Sequence, residues 1–148
     1  MTDLRDQPIP RRDAFAYWRT MPTRWHDNDH YGHVNNVVYY AWFDTTVNGY
    51  LIENSGVDTR DLDAVGLVVE TGCRYLRPVS FPDELEIGLA VERLGSSSVT
   101  YRLAVFAASS DAAVALGRFT HVYVDRVSGR PSAVPAPVRD TLAPLLST

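Results

Sequence analysis

Between Arg24 and Asn36 the chain reads Arg-Trp-His-Asp-Asn-Asp-His-Tyr-Gly-His-Val-Asn-Asn, which crowds Asp27, Asp29, His26, His30 and His33 into one turn. Carboxylates and imidazoles move protons, attack carbonyl carbon and bind metals, and so many together are costly to bury unless they are paired or used. The turn runs directly into an apolar stretch from Val37. A helix starting at Asn35 or Asn36, both good capping types, presents unpaired backbone N–H groups at that point, a setting suited to an anion or an oxyanion. Three uses compete. Either aspartate can simply cap the turn or the helix. The histidines and aspartates can bind a metal, although crowding within one short turn is not a recognised ligand spacing. A calcium loop is excluded, because Asp27, Asp29 and Gly32 occupy its first, third and sixth positions but Val38 stands where its twelfth-position Glu belongs.

The elements that must position this turn follow from patterning. Met1 to Asp13, with Pro8, Pro10 and mixed charges, reads as a loose arm, so residues 1–14 are set apart from a single domain over 15–148. Phe15 to Trp25 is expected to form a first strand, and Asn35 or Asn36 to Gly56 one long helix closed by a C-terminal glycine. The first turns of that helix are apolar nearly all round, which predicts burial on several sides. Strands are expected at Val65–Val79, Glu84–Leu94, Ser97–Ala107 and Ala112–Val124. In the second of these, Leu85, Ile87, Leu89 and Val91 alternate with Glu84, Glu86, Gly88 and Ala90. Gly95-Ser96 and Ser109-Ser110-Asp111 fall at hairpin spacing, so an antiparallel meander is the economical topology. Pro135 to Leu146 reads as a short terminal helix or a packed tail. The class is α+β, a sheet of about five strands around one helix. Its open strand edges favour pairing with a second copy, as a homodimer or a dimer of dimers.

At 148 residues with 45% hydrophobic content, the chain can bury a core without staples. A net charge of −4 argues against a nucleic-acid module. No apolar run is long enough to span a bilayer. The single Cys73 and the lack of a basic-then-apolar leader point to a reducing, cytoplasmic setting, and Cys73 reads as a small buried residue rather than a nucleophile. All 14 strong bases are arginine, a side chain whose planar fork suits phosphate, although compositional bias produces the same pattern.

Asp27-Asn-Asp29-His-Tyr-Gly32-His-Val-Asn-Asn36 resembles the signature of hotdog-fold acyl-CoA thioesterases of the 4-hydroxybenzoyl-CoA thioesterase type. Tyr75-Leu-Arg-Pro-Val79 with Asp83-Glu-Leu-Glu-Ile87, and Val122 to Pro131, resemble the family's later strand patterns in order. The resemblance implies a curved antiparallel sheet of about five strands wrapped around a long central helix. It also implies cleavage of an acyl-CoA to a free acid and CoA without metal or redox cofactor. It makes Asp29 the catalytic base or nucleophile, Asp27 structural, and backbone amides near Gly32 and Asn36 the donors that polarise the thioester carbonyl. Apart from the resemblance, Tyr31, His33 and Arg77 are candidates for substrate contacts, Arg77 through a CoA phosphate, with Arg74, Arg93, Arg102, Arg118, Arg126 and Arg130 as further phosphate candidates. His33 is also expected to order the turn. Asp44 reads as a partnered carboxylate or part of a polar strip with Asn48, and Tyr39, Tyr40 and Trp42 mainly as core. An acyl-carrier-protein thioesterase and a non-catalytic acyl-CoA-binding module are the alternatives.

Overall fold

The computed structural model describes residues 3–147. Its main elements are β1 (Tyr17–Pro22), α1 (Asn36–Ser55), β2 (Ala64–Tyr75), β3 (Glu84–Leu94), β4 (Ser98–Ala107), β5 (Ala113–Asp125) and α2 (Ala136–Leu142). The five strands form one antiparallel sheet in the order β1-β3-β4-β5-β2, curled around α1 in the hotdog arrangement. The meander expected from the hairpin spacing therefore covers only β3 to β5. The chain devotes the β1–β2 connection to a long helix, so β1 and β2 end up on opposite edges rather than beside each other.

Element limits differ from the sequence reading where local chemistry intervenes. The first strand stops at Pro22, and Trp25–Asp27 forms a 3₁₀ turn instead of strand. The second strand stops at Tyr75, because Leu76 and Arg77 donate their amides to one carbonyl, that of Val114, ahead of Pro78. Pro135 to Leu146 resolves into a seven-residue helix and a 3₁₀ turn, and the helix docks on α1 through a 2.7 Å bond from Tyr50 Oη to the Thr141 carbonyl.

The core lies between α1 and the sheet. Tyr39, Trp42, Phe43, Thr46, Val47, Tyr50 and Leu51 recur at helical spacing and are all buried, facing Leu85, Ile87, Leu89, Tyr101, Leu103 and Phe119. The helix is thus covered by the sheet and, around Tyr50, by α2, but not all round. Sheet and α2 together leave one face of the rod bare, and Val37 and Ala41 remain exposed on it. Asp44 also lies on the bare side, where it accepts a 3.0 Å bond from Asn48 Nδ2, the polar-strip alternative rather than a buried pair.

Residues ahead of β1 lie along the outer face of the sheet. Arg12 bonds Glu86 at 2.8 Å and the Ala107 and Ser110 carbonyls at 2.9 Å, and its guanidinium stacks on Trp18 and Phe106. Phe15 covers a second cluster with Ala90, Ala104, Phe106 and Leu116, which explains why Ala90 is buried although it lies on the polar side of the β3 alternation.

Candidate active site

The polar turn is a closed loop fastened at each corner. Asn28 and Val34 form an antiparallel bridge, the Asp29 amide donates to the His33 carbonyl at 2.8 Å, and the Val34 amide donates to the Val79 carbonyl at 2.8 Å. Gly32 makes the reversal possible. Its φ of +85° lies in the left-handed region that L side chains rarely adopt, and its amide donates to the Asp29 carbonyl at 3.1 Å.

The two aspartates have separate surroundings. Asp27 is 1% exposed and wholly engaged: Arg24 donates its amide at 2.8 Å and its guanidinium at 2.7 and 3.0 Å to the carboxylate, while the Asn35 amide donates to the Asp27 carbonyl. Burial by itself favours the protonated acid, but the Arg24 bonds outweigh it and hold this carboxyl below its ordinary range. Asp29 is half-buried, and its Oδ1 accepts the amides of Tyr31 at 2.9 Å and His33 at 3.4 Å. Its Oδ2 has no partner among the described residues. One oxygen is thereby oriented and the other left available.

Asn35 caps α1, its Oδ1 accepting the Val37 amide at 3.1 Å, and the Asn36 amide has no hydrogen-bond partner among the described residues. At this helix start lies a cleft of about 310 Å³ lined by Val34, Asn36, Tyr39, Tyr75, Arg77 and Pro78. Tyr75 Oη donates to the Asn36 carbonyl at 3.3 Å, and the rings of Tyr39 and Tyr75 meet edge to face at 5.0 Å. Burial pushes the Tyr39 hydroxyl up to about 12 and the Cys73 thiol up to about 11, so both stay protonated at neutral pH. Arg77 is exposed at the rim, with no carboxylate partner among the described residues.

Of the residues singled out in the sequence, Asn36 and Arg77 share this cleft, whereas Asp29, Tyr31, Gly32 and His33 form the adjoining turn without lining it. The Tyr31 side chain is 76% exposed, stacked by His30 at 4.1 Å, and the Tyr31 and His33 amides, not their rings, touch Asp29. Tyr75 stands in the sequence only as the first residue of the Tyr75-Leu-Arg-Pro-Val79 strand pattern, and its place in the cleft wall is not foreseen there, because nothing local to a strand end tells which side chain meets a distant helix start. His121 escaped sequence reasoning; its only signal is an aromatic alternation with Phe119 and Tyr123 along β5. Among the other arginines, Arg118 is paired with Glu92 on the outer face and Arg126 donates to the Leu62 and Arg60 carbonyls.

Residues 23–142 match the thioesterase-like superfamily. The chain is 53% identical to the PA5185 protein of Pseudomonas aeruginosa strain PAO1, whose crystal structure superposes with a TM-score of 0.91 over 95% of this chain and 99% of that one. It shares its fold with Slr0204, a 1,4-dihydroxy-2-naphthoyl-CoA thioesterase from Synechocystis, at a TM-score of 0.79 and 13% identity over 85% of this chain and 94% of the other. It is 27% identical over 96 residues to YsmA of Bacillus subtilis (strain 168), a stretch that covers 64% of this chain and 65% of that relative.

Proposed function

Because the chain belongs to the thioesterase-like superfamily, we propose that it hydrolyses acyl-CoA thioesters to a free carboxylic acid and CoA, with Asp29 as general base or nucleophile. The observation that carries this reading is the half-buried Asp29 carboxylate, tethered through Oδ1 alone, on the turn that leads into an unengaged amide at the start of α1. A carboxylate fixed by backbone donors loses little freedom on reaching the reactive geometry, and its free oxygen either attacks the thioester carbon, forming an acyl-aspartyl anhydride that water then cleaves to the free acid, or takes a proton from the water that attacks. Negative charge then gathers on the carbonyl oxygen, where the Asn36 amide and the positive end of α1 stabilise it. Gly32, whose amide is already engaged, serves by shaping the turn. The thiolate of CoA leaves without needing a strong acid, and this chemistry asks for no metal or redox cofactor. Arg77 is proposed to hold a CoA phosphate, with Tyr31 and His33 beside the bound thioester.

The reading includes a homodimer. β2 is an edge strand, and Leu67, Val68 and Val69 along it are 51%, 48% and 59% exposed, too much apolar surface for an edge left in water. Two such edges paired about a two-fold axis extend the sheet, bring the bare faces of two α1 helices together, and wall the cleft at Asn36 with a second protomer. A dimer of dimers is compatible with the same pairing.

A panel of acyl-CoA thioesters, assayed by thiol release, tests the proposal. Turnover by the native chain and its loss in Asp29→Asn, with folding and ligand binding retained, support it. Binding without turnover across the panel favours the acyl-CoA-binding alternative, and faster cleavage of acyl-carrier-protein thioesters at equal acyl chain favours the other. Unchanged turnover in Asp29→Asn sinks the site assignment.

A further inference from the structure

The outer face of the sheet carries a positive charge with no counterpart among the described residues. Arg102 alternates along β4 with Tyr101 and Leu103, both wholly buried in the core, so its side chain stands on the face turned away from α1. Its cross-strand neighbour on β5 is Arg118. Like charges directly opposite each other destabilise a sheet, so this pair calls for anions beside it. The fold brings one carboxylate, that of Glu92, and commits it to Arg118. Its two oxygens accept bonds of 3.3 Å from the Arg118 guanidinium, and one of them accepts a third, at 3.4 Å, from Gln7 Nε2. Arg102 has no carboxylate within 4 Å among the described residues, and its Nε is buried without a hydrogen-bond partner.

This arginine lines a cavity of about 340 Å³, bounded on one side by Asp13 to Ala16, ahead of β1, and on the other by Pro144 to Ser147 of the tail. Both walls are anchored. Phe15 is 5% exposed and packs over Ala90 and Ala104, while the Ser147 amide donates to the Val91 carbonyl at 2.8 Å and Leu146 forms a parallel bridge with Val91. Two segments from opposite ends of the chain thus meet over the middle of the sheet and leave a hollow between them. Among the residues that line it, Arg102 is the one cation and Asp13 the one anion, and the two do not form an ion pair. Phe15, Leu145 and Leu146 supply apolar wall.

The chemistry of the walls narrows the ligand. A guanidinium is a planar fork that matches the two oxygens of a carboxylate, and partial burial strengthens the attraction between them. Asp13 repels a second negative charge, which sets a singly charged carboxylate ahead of a phosphate dianion. The apolar side chains suit a compact body about the size of one ring. We infer that this cavity binds an organic monocarboxylate, with its charge on Arg102 and its body against Phe15 and the tail. The site lies on the other side of the sheet from the cleft at Asn36 and does not depend on the function proposed above. A ligand held there ties the tail to the segment ahead of β1, so its binding stabilises the fold.

Benzoate and benzamide, alike in shape and different in charge, test this on the full chain at neutral pH. In calorimetry benzoate is expected to bind at least about tenfold more tightly than benzamide, the discrimination of a charge-assisted pair. It is also expected to raise the Tm, to shift the Arg102 Nε–H resonance and to bring its ring into contact with Phe15. Arg102→Gln should bring the binding ratio close to one without lowering the Tm of the free protein, since it removes a charge that opposes Arg118. Asp13→Asn should tighten benzoate and admit inorganic phosphate, which the native chain is expected to bind more weakly than benzoate. Equal binding of benzoate and benzamide overturns the inference, as does a preference that survives Arg102→Gln, because the acid then sits elsewhere. Phosphate binding tighter than benzoate overturns the ligand class. Benzoate binding that appears only after Thr148 is removed shows that the chain itself fills the cavity, and overturns the inference too. None of these readouts involves thioester turnover, so the cavity and the thioesterase reading fail separately.

Discussion

Arg24 closes over Asp27 with three hydrogen bonds between residues only three apart, and in doing so takes one of the two signature aspartates out of contention for chemistry. Its carboxylate is buried and its acceptors are filled, whereas Asp29 keeps an oxygen free. Asp27→Asn is expected to destabilise the fold by about 1–3 kcal/mol, the range for losing charged hydrogen bonds at a buried group. Because the folded-state pKa of Asp27 lies below its ordinary value, its contribution is present above about pH 4 and fades as pH falls through the lower folded value. Urea titrations of native and variant protein should therefore converge in acid. A well-folded Asp27→Asn protein with no turnover would instead reverse the roles of the two aspartates.

His121 acts on stability in the same direction but in a higher window. Its pKa falls from an ordinary 6.5 to about 4 in the folded chain, so the unfolded chain binds a proton that the folded one refuses. Stability is fully present above about pH 6.5 and declines on acidification by up to about 1.4 kcal/mol per pH unit until the folded ring titrates near 4. His121→Phe should flatten that slope between pH 6.5 and 4. A slope unchanged by the substitution would show that another group is responsible.

Arg77 stands at the cleft rim without a carboxylate partner among the described residues. Arg77→Ala should raise KM for acyl-CoA about fivefold to tenfold, as expected for one exposed charge-assisted contact, with kcat little changed. The same substitution should leave KM for a truncated acyl-pantetheine thioester, which lacks the nucleotide phosphates, nearly unaltered. An equal effect on both substrates would remove Arg77 from phosphate binding.

The apolar edge of β2 gives a prediction about assembly. Val69→Asp sets two like charges against each other in a symmetric edge pairing. Light scattering at micromolar concentration should find the native chain dimeric or larger and the variant shifted towards monomer, with thioester turnover falling in parallel. A native chain that is monomeric and fully active would refute the shared cleft.

Substituting Gly32 probes the turn itself. Gly32→Ala forces an L side chain to φ near +85° at a place with open space around it, so the cost is conformational, about 1 kcal/mol, rather than steric. Thermal unfolding should shift modestly. If the turn positions Asp29, kcat should fall by more than the stability loss explains.

Local patterning alone determined which elements exist here. The period-two run Leu85, Ile87, Leu89, Val91 became a strand whose four side chains are wholly buried, and Asn35 and Gly56 did bracket α1, because alternation and capping are properties of neighbouring residues. The signature turn was equally legible as a cluster. Tertiary structure alone decided its internal division of labour: Asp27 and Asp29 are the same residue type two positions apart, and only the direction of Arg24 and of the Tyr31 and His33 amides separates them. It also decided strand order, since the long β1–β2 connection carries no local mark that sends the two strands to opposite edges. His121 and Tyr75 belong to the same category. Their surroundings are built from segments tens of residues away, and burial, pairing and the lack of pairing arise only when those segments meet.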